Sequence, residues 1–219
     1  MLTVQSFVNS PVTSNCYVLF DRDFGNECII VDPGSRSEKE LIDYLVGESL
    51  IPKYIILTHE HFDHCWGVNE LVELYQIPII CSELCAEAIK HEKQNCSVFY
   101  DNKDCFTINS EALSIESKNS VLFFYGYKIQ FYSTFGHTDA SVSFVVDKCL
   151  FTGDTLIKDE KTVTKLPTGS VEKLKGSLSI YSSFLGKNFK VFPGHGECFL
   201  LNEYELNKSW KGTNNVNIL

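Results

Sequence analysis

Tyr54-Ile55-Ile56-Leu57-Thr58-His59-Glu60-His61-Phe62-Asp63-His64-Cys65-Trp66-Gly67 is the stretch that decides how this chain folds. An apolar, strand-forming run stops at Thr58, and the next six residues bring His59, His61, Asp63 and His64. The chain has six histidines, and three of them fall in this window. Imidazoles and carboxylates crowded behind a buried strand need partners, which a cation supplies. Neutral imidazole nitrogen and carboxylate oxygen suit zinc, and also iron or manganese. In an extended loop alternate residues share a side, so His59 and His61 can grip one ion. A helix starting near Asp63 would turn Asp63 and His64 toward a second ion. Val68, Leu71, Val72 and Tyr75 have the helical spacing that such a helix, over about 63–75, requires. The competing reading, a solvated surface loop, does not explain four ligand-type residues behind one buried strand.

Upstream, residues 2–8, 15–20 and 27–31 read as strands separated by turn-rich segments. The third strand runs into the sharp turn Asp32-Pro33-Gly34. Ser37 and Glu40 form a capping-box pattern, and the helix they open carries Leu41, Ile42, Leu45 and Val46 on one face, stopping near Gly47. A strand at 53–57 leads into the histidine cluster. Downstream, a strand over Ile77–Cys81 and a helix from Ser82 to Lys90 continue the strand–helix alternation of an α/β layered fold. Cys81 and Cys85 are read as core residues. His91, in a polar context, is read as a surface histidine, and residues 91–120 show no clear periodicity. Strands follow at 121–125, 127–132, 142–146 and 148–151, the last two as a hairpin around Asp147. A helix opens near Ser170 with Val171, Leu174, Leu178 and Tyr181 on one side, and a last strand covers 189–192. In the polar tail Tyr204, Leu206 and Trp210 are available as anchors.

Three further turns each place one ligand-type residue directly after a strand: Gly136-His137-Thr138, Phe151-Thr152-Gly153-Asp154 and Pro193-Gly194-His195-Gly196. Strand-end loops on a rigid scaffold are where sites are usually built. With Thr58 to His64 and the upstream Val31-Asp32-Pro33-Gly34, these turns make the chain resemble the metallo-β-lactamase-fold hydrolase superfamily. The pieces occur in the family's order and span most of the chain. The resemblance implies one domain over 1–219, a four-layer αβ/βα sandwich with two mixed sheets flanked by helices. It implies two divalent metal ions, zinc first and iron or manganese as alternatives. His59, His61 and His137 would hold the first ion, Asp63, His64 and His195 the second, and Asp154 would bridge both.

The Phe-Thr-Gly-Asp form is similar to the glyoxalase II-like branch, which implies thioester hydrolysis. Water activated by two cations would attack the acyl carbon, with Asp63 and Asp154 as the catalytic carboxylates. Lactone hydrolysis is the nearby alternative. A second alternative is the persulfide dioxygenase branch, an oxidoreductase holding one iron at His59, His137 and Asp154. A metal-bearing binding module without catalysis is the non-enzymatic reading. Cys65 is expected to pack behind the site and Trp66 in the core. The sequence departs from the family pattern at Thr138-Asp139-Ala140-Ser141, where Asp139 adds a carboxylate near the ligands.

The 219 residues, 44% hydrophobic and 21% charged, are ordinary for a globular chain. A formal net charge of −9 disfavours a nucleic-acid partner, which would want a basic stripe. The start lacks the basic and apolar regions of a signal peptide, and no apolar run suits a membrane span. Nine cysteines without a CxxC pair point to reduced thiols and a cytoplasmic location. The expected partner is a small-molecule substrate, with no membrane involved. Nothing in the sequence specifies an oligomeric state.

Overall fold

The computed structural model describes residues 1–101, 103–115 and 118–204, with the backbone alone of 118 and 119. Leu206 and Trp210 lie outside the described residues. Among the described residues twelve strands form two sheets of six. The first sheet takes β1 (Thr3–Val8), β2 (Asn15–Phe20), β3 (Glu27–Val31), β4 (Ile51–Ile56), β5 (Ile79–Ser82) and β6 (Ala112–Ile115) in chain order. Its first two pairings are antiparallel, and β3, β4, β5 and β6 run parallel. The second sheet holds β7 (Lys118–Phe124), β8 (Tyr127–Ser133), β9 (Val142–Val146), β10 (Cys149–Gly153), β11 (Lys190–Pro193) and β12 (Phe199–Leu200). It is antiparallel except for the β10–β11 pair. Both sheets are mixed, as the sequence resemblance implies.

Period-2 alternation sorts the side chains of each strand into layers. On β2, Tyr17 and Leu19 point between the sheets, where they meet Ile29, Ile56, Phe131, Phe144, Phe151 and Phe192. Cys16 and Val18 point the other way, toward the helices α1 (Lys39–Gly47), α3 (Val68–Tyr75) and α4 (Glu83–Ala88), through Leu41, Leu45, Leu71 and Cys85. The far face of the second sheet packs Leu150 and Val191 on Leu174, Leu178 and Tyr181 of α6 (Val171–Ser182). Helices thus cover both outer faces of the sheet pair. Each fully buried Phe, Leu or Ile contributes about 1.5–3 kcal/mol. Among the described residues no helix is long and apolar enough to cross a membrane.

Several local expectations are corrected. The expected helix over 63–75 is two: α2 (Phe62–Cys65) and α3, parted at Trp66-Gly67. The hydrogen bond that would join them is spent elsewhere. The Gly67 N–H donates to the Pro33 carbonyl at 3.0 Å, and the Asp63 carbonyl accepts from Ser14 Oγ. The Ser37–Glu40 capping box does not form. Helix α1 starts at Lys39 with no side-chain cap, and the Glu38 N–H donates to Glu70 Oε2 of α3 at 2.8 Å. Val46 is exposed rather than on the buried face. The stretch 91–120 contains a four-residue helix, α5 (Ser97–Tyr100), and the edge strand β6. Leu113 and Ser114 of that strand are exposed, so it shows no alternation to read. Helices α4 and α6 begin just after Ser82 and Ser170, where the sequence places helix starts, and both serines cap them, accepting from the Cys85 and Lys173 N–H groups.

Candidate metal centre

The carboxyl ends of β3, β4, β8, β10 and β11 reach one rim of the two sheets, and each ends in a turn bearing polar side chains. Hydrogen bonds between the sheets hold that rim closed. Asn15 N–H at the start of β2 donates to the Gly194 carbonyl at 2.7 Å, and Tyr17 OH donates to the Pro193 carbonyl at 2.6 Å. Val142 N–H at the start of β9 donates to the Thr58 carbonyl at 2.8 Å. The loop behind His61 is braced from the unread segment, where the buried Asn95 carbonyl accepts from Phe62 N–H at 2.8 Å.

All seven side chains singled out in the sequence meet there. Their ligand atoms fall into three overlapping groups, His59–His61–His137, His59–His64–Asp154 and Asp63–His64–His195, each with its atoms within 4.8 Å of one another. Asp154 spans the first and last groups. Its Oδ1 is 3.4 Å from His64 Nε2, and its Oδ2 is 3.5 Å from both His137 Nε2 and His195 Nε2. Asp63 Oδ2 lies 3.3 Å from His195 Nε2.

The tautomers follow from the outer nitrogens. His64 Nδ1–H donates to Asp32 Oδ2 at 3.1 Å. Thr58 Oγ1 donates to the same carboxylate oxygen at 2.6 Å and so accepts from His59 Nδ1–H at 3.1 Å. His137 Nδ1–H donates to the Val163 carbonyl at 2.8 Å and His195 Nδ1–H to the Thr13 carbonyl at 3.1 Å. Each arrangement aims Nε2 inward, the orientation of histidines held for metal binding. His59 Nε2, His64 Nε2 and Asp154 Oδ1 are buried without a hydrogen-bond partner. His137 Nε2 and His61 Nδ1 sit 2.9 Å apart, a spacing two lone pairs keep only around a shared proton or cation. This donor set fits divalent cations.

Electrostatics divide the cluster. Burial, reinforced by the other imidazoles, holds His59 well below its ordinary value and His61 at about 3, and burial also lowers His137. Burial acts the same way on His64, but Asp63, Asp154 and Asp32 outweigh it and push His64 up to about 10. His195 is raised for the same reason, against burial, by Asp154 and Asp63. Both carboxyls resist their own burial and stay below the usual carboxylate range because of these imidazoles.

The other expectations find their places. Cys65 is buried with Sγ on the Glu60 carbonyl at 3.3 Å. Trp66, expected in the core, is instead half-buried, stacked on Phe106 and edge-on to Phe62 and Tyr100. Asp139 turns outward to Lys173 Nζ at 2.7 Å. His91 is exposed. Sequence reasoning missed Asp32 as an orienting group and read its segment as a turn and as one piece of the family resemblance. The strand-end rule that selected His137, Asp154 and His195 applies equally to Asp32 behind β3. Gly194 was missed as a spacer: a Cβ there would stand 2.0 Å from Asp154 Oδ1.

Comparison with known proteins agrees with this geometry. The family model described as the metallo-beta-lactamase superfamily matches residues 9–195. A probable metallo-hydrolase of Methanocaldococcus jannaschii is 28% identical over 191 residues, which cover 84% of this chain and 88% of that protein. The crystal structure of a B3 metallo-beta-lactamase superposes with a TM-score of 0.84 at 27% identity, covering 92% of this chain and 95% of its own. A second, solved in a di-iron-bound form, gives 0.76 at 26% identity, covering 90% and 94%.

Proposed function

The chain belongs to the metallo-beta-lactamase superfamily, and on that premise we propose that it is a metal-dependent hydrolase of ester-like bonds, thioesters first. One observation carries the reading: buried ligand atoms of His59, His64 and Asp154 converge with no hydrogen-bond partner. A packing role would leave those atoms desolvated without hydrogen bonds, at a cost of about 1–3 kcal/mol each. Divalent cations, zinc in our reading, supply Lewis acidity and make water nucleophilic at neutral pH.

The chain's own groups then divide the work. His59, His61 and His137 hold one end of the cluster, and Asp63, His64 and His195 the other, with Asp154 between. Asp63 is anionic at neutral pH because its neighbouring imidazoles hold its carboxyl low against burial. Its Oδ2 would orient the attacking water. Asp32, Thr58 and the carbonyls of Val163 and Thr13 keep the imidazoles aimed, so no reorganisation is needed during the reaction. The thioester preference rests on the likeness of Phe151-Thr152-Gly153-Asp154 to the glyoxalase II-like form.

The test combines elemental analysis of the purified protein with a panel of thioesters and lactones. Two divalent ions per chain and thioester turnover are expected. In His59→Ala turnover should fall on the order of a thousandfold with an unchanged circular dichroism spectrum. Full activity of that variant with its metal intact overturns the reading. So does a single iron per chain with oxygen consumption on a persulfide.

A further inference from the structure

Asn9-Ser10-Pro11-Val12-Thr13-Ser14-Asn15 joins β1 to β2, and its composition is that of a polar turn. Connections of this kind run over the surface with their side chains in water. Two of these side chains face inward instead: Asn9 is 2% exposed and Ser14 0% exposed. Buried polar groups need partners, and these two find theirs behind the metal centre. Ser14 Oγ donates to the main-chain carbonyl of Asp63 and accepts from Asn9 Nδ2 at 2.9 Å. Asn9 Nδ2 also donates to the Asp32 carbonyl at 3.1 Å and lies 3.5 Å from the Asp63 carbonyl. Its Oδ1 accepts from Ser35 Oγ at 3.0 Å, and its N–H donates to the Ser14 carbonyl at 2.8 Å. A buried network satisfied in this way is rigid. Gly34 closes the other side: a Cβ there would stand 1.6 Å from the Asp63 carbonyl oxygen, so only glycine allows the approach.

The same loop holds a candidate ligand of the opposite sheet. His195 Nδ1–H donates to the Thr13 carbonyl at 3.1 Å, and Ser14 and His195 form an antiparallel bridge. Asn15 Nδ2 donates to the carbonyls of Pro193 and Gly196, on either side of His195, at 3.0 and 2.9 Å. One loop therefore braces both Asp63 and His195, whose Oδ2 and Nε2 stand 3.3 Å apart. The other end of the cluster is braced differently. His59 bonds to Thr58, His137 to the Val163 carbonyl, and His61 to His137.

We propose that Ser14, anchored by Asn9, is a positioning residue of the metal centre. It clamps the main chain at Asp63 while its neighbour Thr13 holds His195, and so sets the affinity of the Asp63–His64–His195 end for its ion. Ser14 touches neither ion nor substrate and acts through Asp63. Metal–ligand distances tolerate only about 0.2 Å of error, so a main chain free to shift at Asp63 would weaken that end and spare the three-histidine end. The inference rests on the metal-dependent reading of the site, though not on its substrate.

The test is a zinc titration of the full chain against a competing chelator, with Asp63→Ala identifying which equivalent belongs to the Asp63 end. Ser14→Ala should weaken that equivalent about tenfold and leave the other within about twofold. A loop that only stabilised the fold would weaken both together. Linkage makes the effect reciprocal. In wild type, zinc at the Asp63 end should therefore slow amide hydrogen exchange over residues 9–15, and zinc bound to Asp63→Ala should not. This second measurement needs no variant of the loop, so it decides the matter even where Ser14→Ala fails to fold. Equal weakening of both equivalents, weakening of neither, or exchange over 9–15 indifferent to zinc overturns the assignment while the metal centre stands. So does a wild type whose zinc binding is untouched by Asp63→Ala. If the wild type takes up no zinc at all, the metal reading itself fails, and the assignment of Ser14 with it.

Discussion

The two sheets contribute to the cluster in opposite ways. The first supplies four candidate ligand residues from one loop, His59, His61, Asp63 and His64, within six positions of the chain. The second supplies His137, Asp154 and His195 singly, from the ends of three strands. Their bracing differs too. Asp32, a buried carboxylate, steers His59 through Thr58 and His64 directly, whereas His137 and His195 lean on main-chain carbonyls. A dense local cluster needs one shared side chain to fan its imidazoles apart. Ligands arriving from separate strands are already apart and need only a carbonyl within reach.

That difference makes Asp32 the sharpest place to intervene. Asp32 sits at φ 50°, a conformation Asn tolerates, so Asp32→Asn keeps the turn while removing the charge. His59 and His64 belong to different ends of the cluster, so affinity for both ions should fall, by about ten- to hundredfold. Chelator competition measures this, and a loss confined to one ion would break the shared-carboxylate account.

The pH dependence of metal uptake separates the two ends next. Without an ion, His64 is raised to about 10 by Asp63, Asp154 and Asp32, against burial, and so carries a proton at neutral pH that a cation must displace. Affinity at the Asp63–His64–His195 end should therefore rise with pH, about tenfold per unit for each proton released between roughly pH 6 and 9. His59, His61 and His137 are lowered, hence already neutral, and their end should be nearly flat over that window. Zinc titrations with equal slopes for both equivalents would contradict the electrostatic division.

The smallest effect is expected at Asp139. Its partner Lys173 is half exposed, and surface pairs of this kind contribute about 0–1 kcal/mol. Asp139→Asn should leave metal content unchanged and shift thermal unfolding slightly. Loss of metal would mean that the carboxylate faces the cluster after all.

Much of the site was legible because ligand chemistry is restrictive: few arrangements other than metal binding explain three histidines and an aspartate behind a buried strand. The turns at His137, Asp154 and His195 were legible for the same reason, each being a polar group at a strand end beside glycine. Local signals also placed most strands and the helix starts near Ser82 and Ser170. They failed at Trp66-Gly67, where Pro33 and Ser14 claim the hydrogen-bonding groups that a continuous helix would use. They failed again over 91–120, whose edge strand has no buried face to set a period and whose Asn95 acts through its carbonyl.

Sequence by itself determined which atoms can bind a cation and which strands alternate, because both are properties of residue type and spacing. Only tertiary structure decided that the two sets of ligands meet. Strand order puts the ends of β4, β8, β10 and β11 on one rim, and the bonds from Asn15, Tyr17 and Val142 stitch that rim shut. Side-chain tautomers, the division of charge between the two ends and the orientation of Asp139 were set there too. Each depends on a partner distant in the chain, and no local pattern encodes such a neighbour.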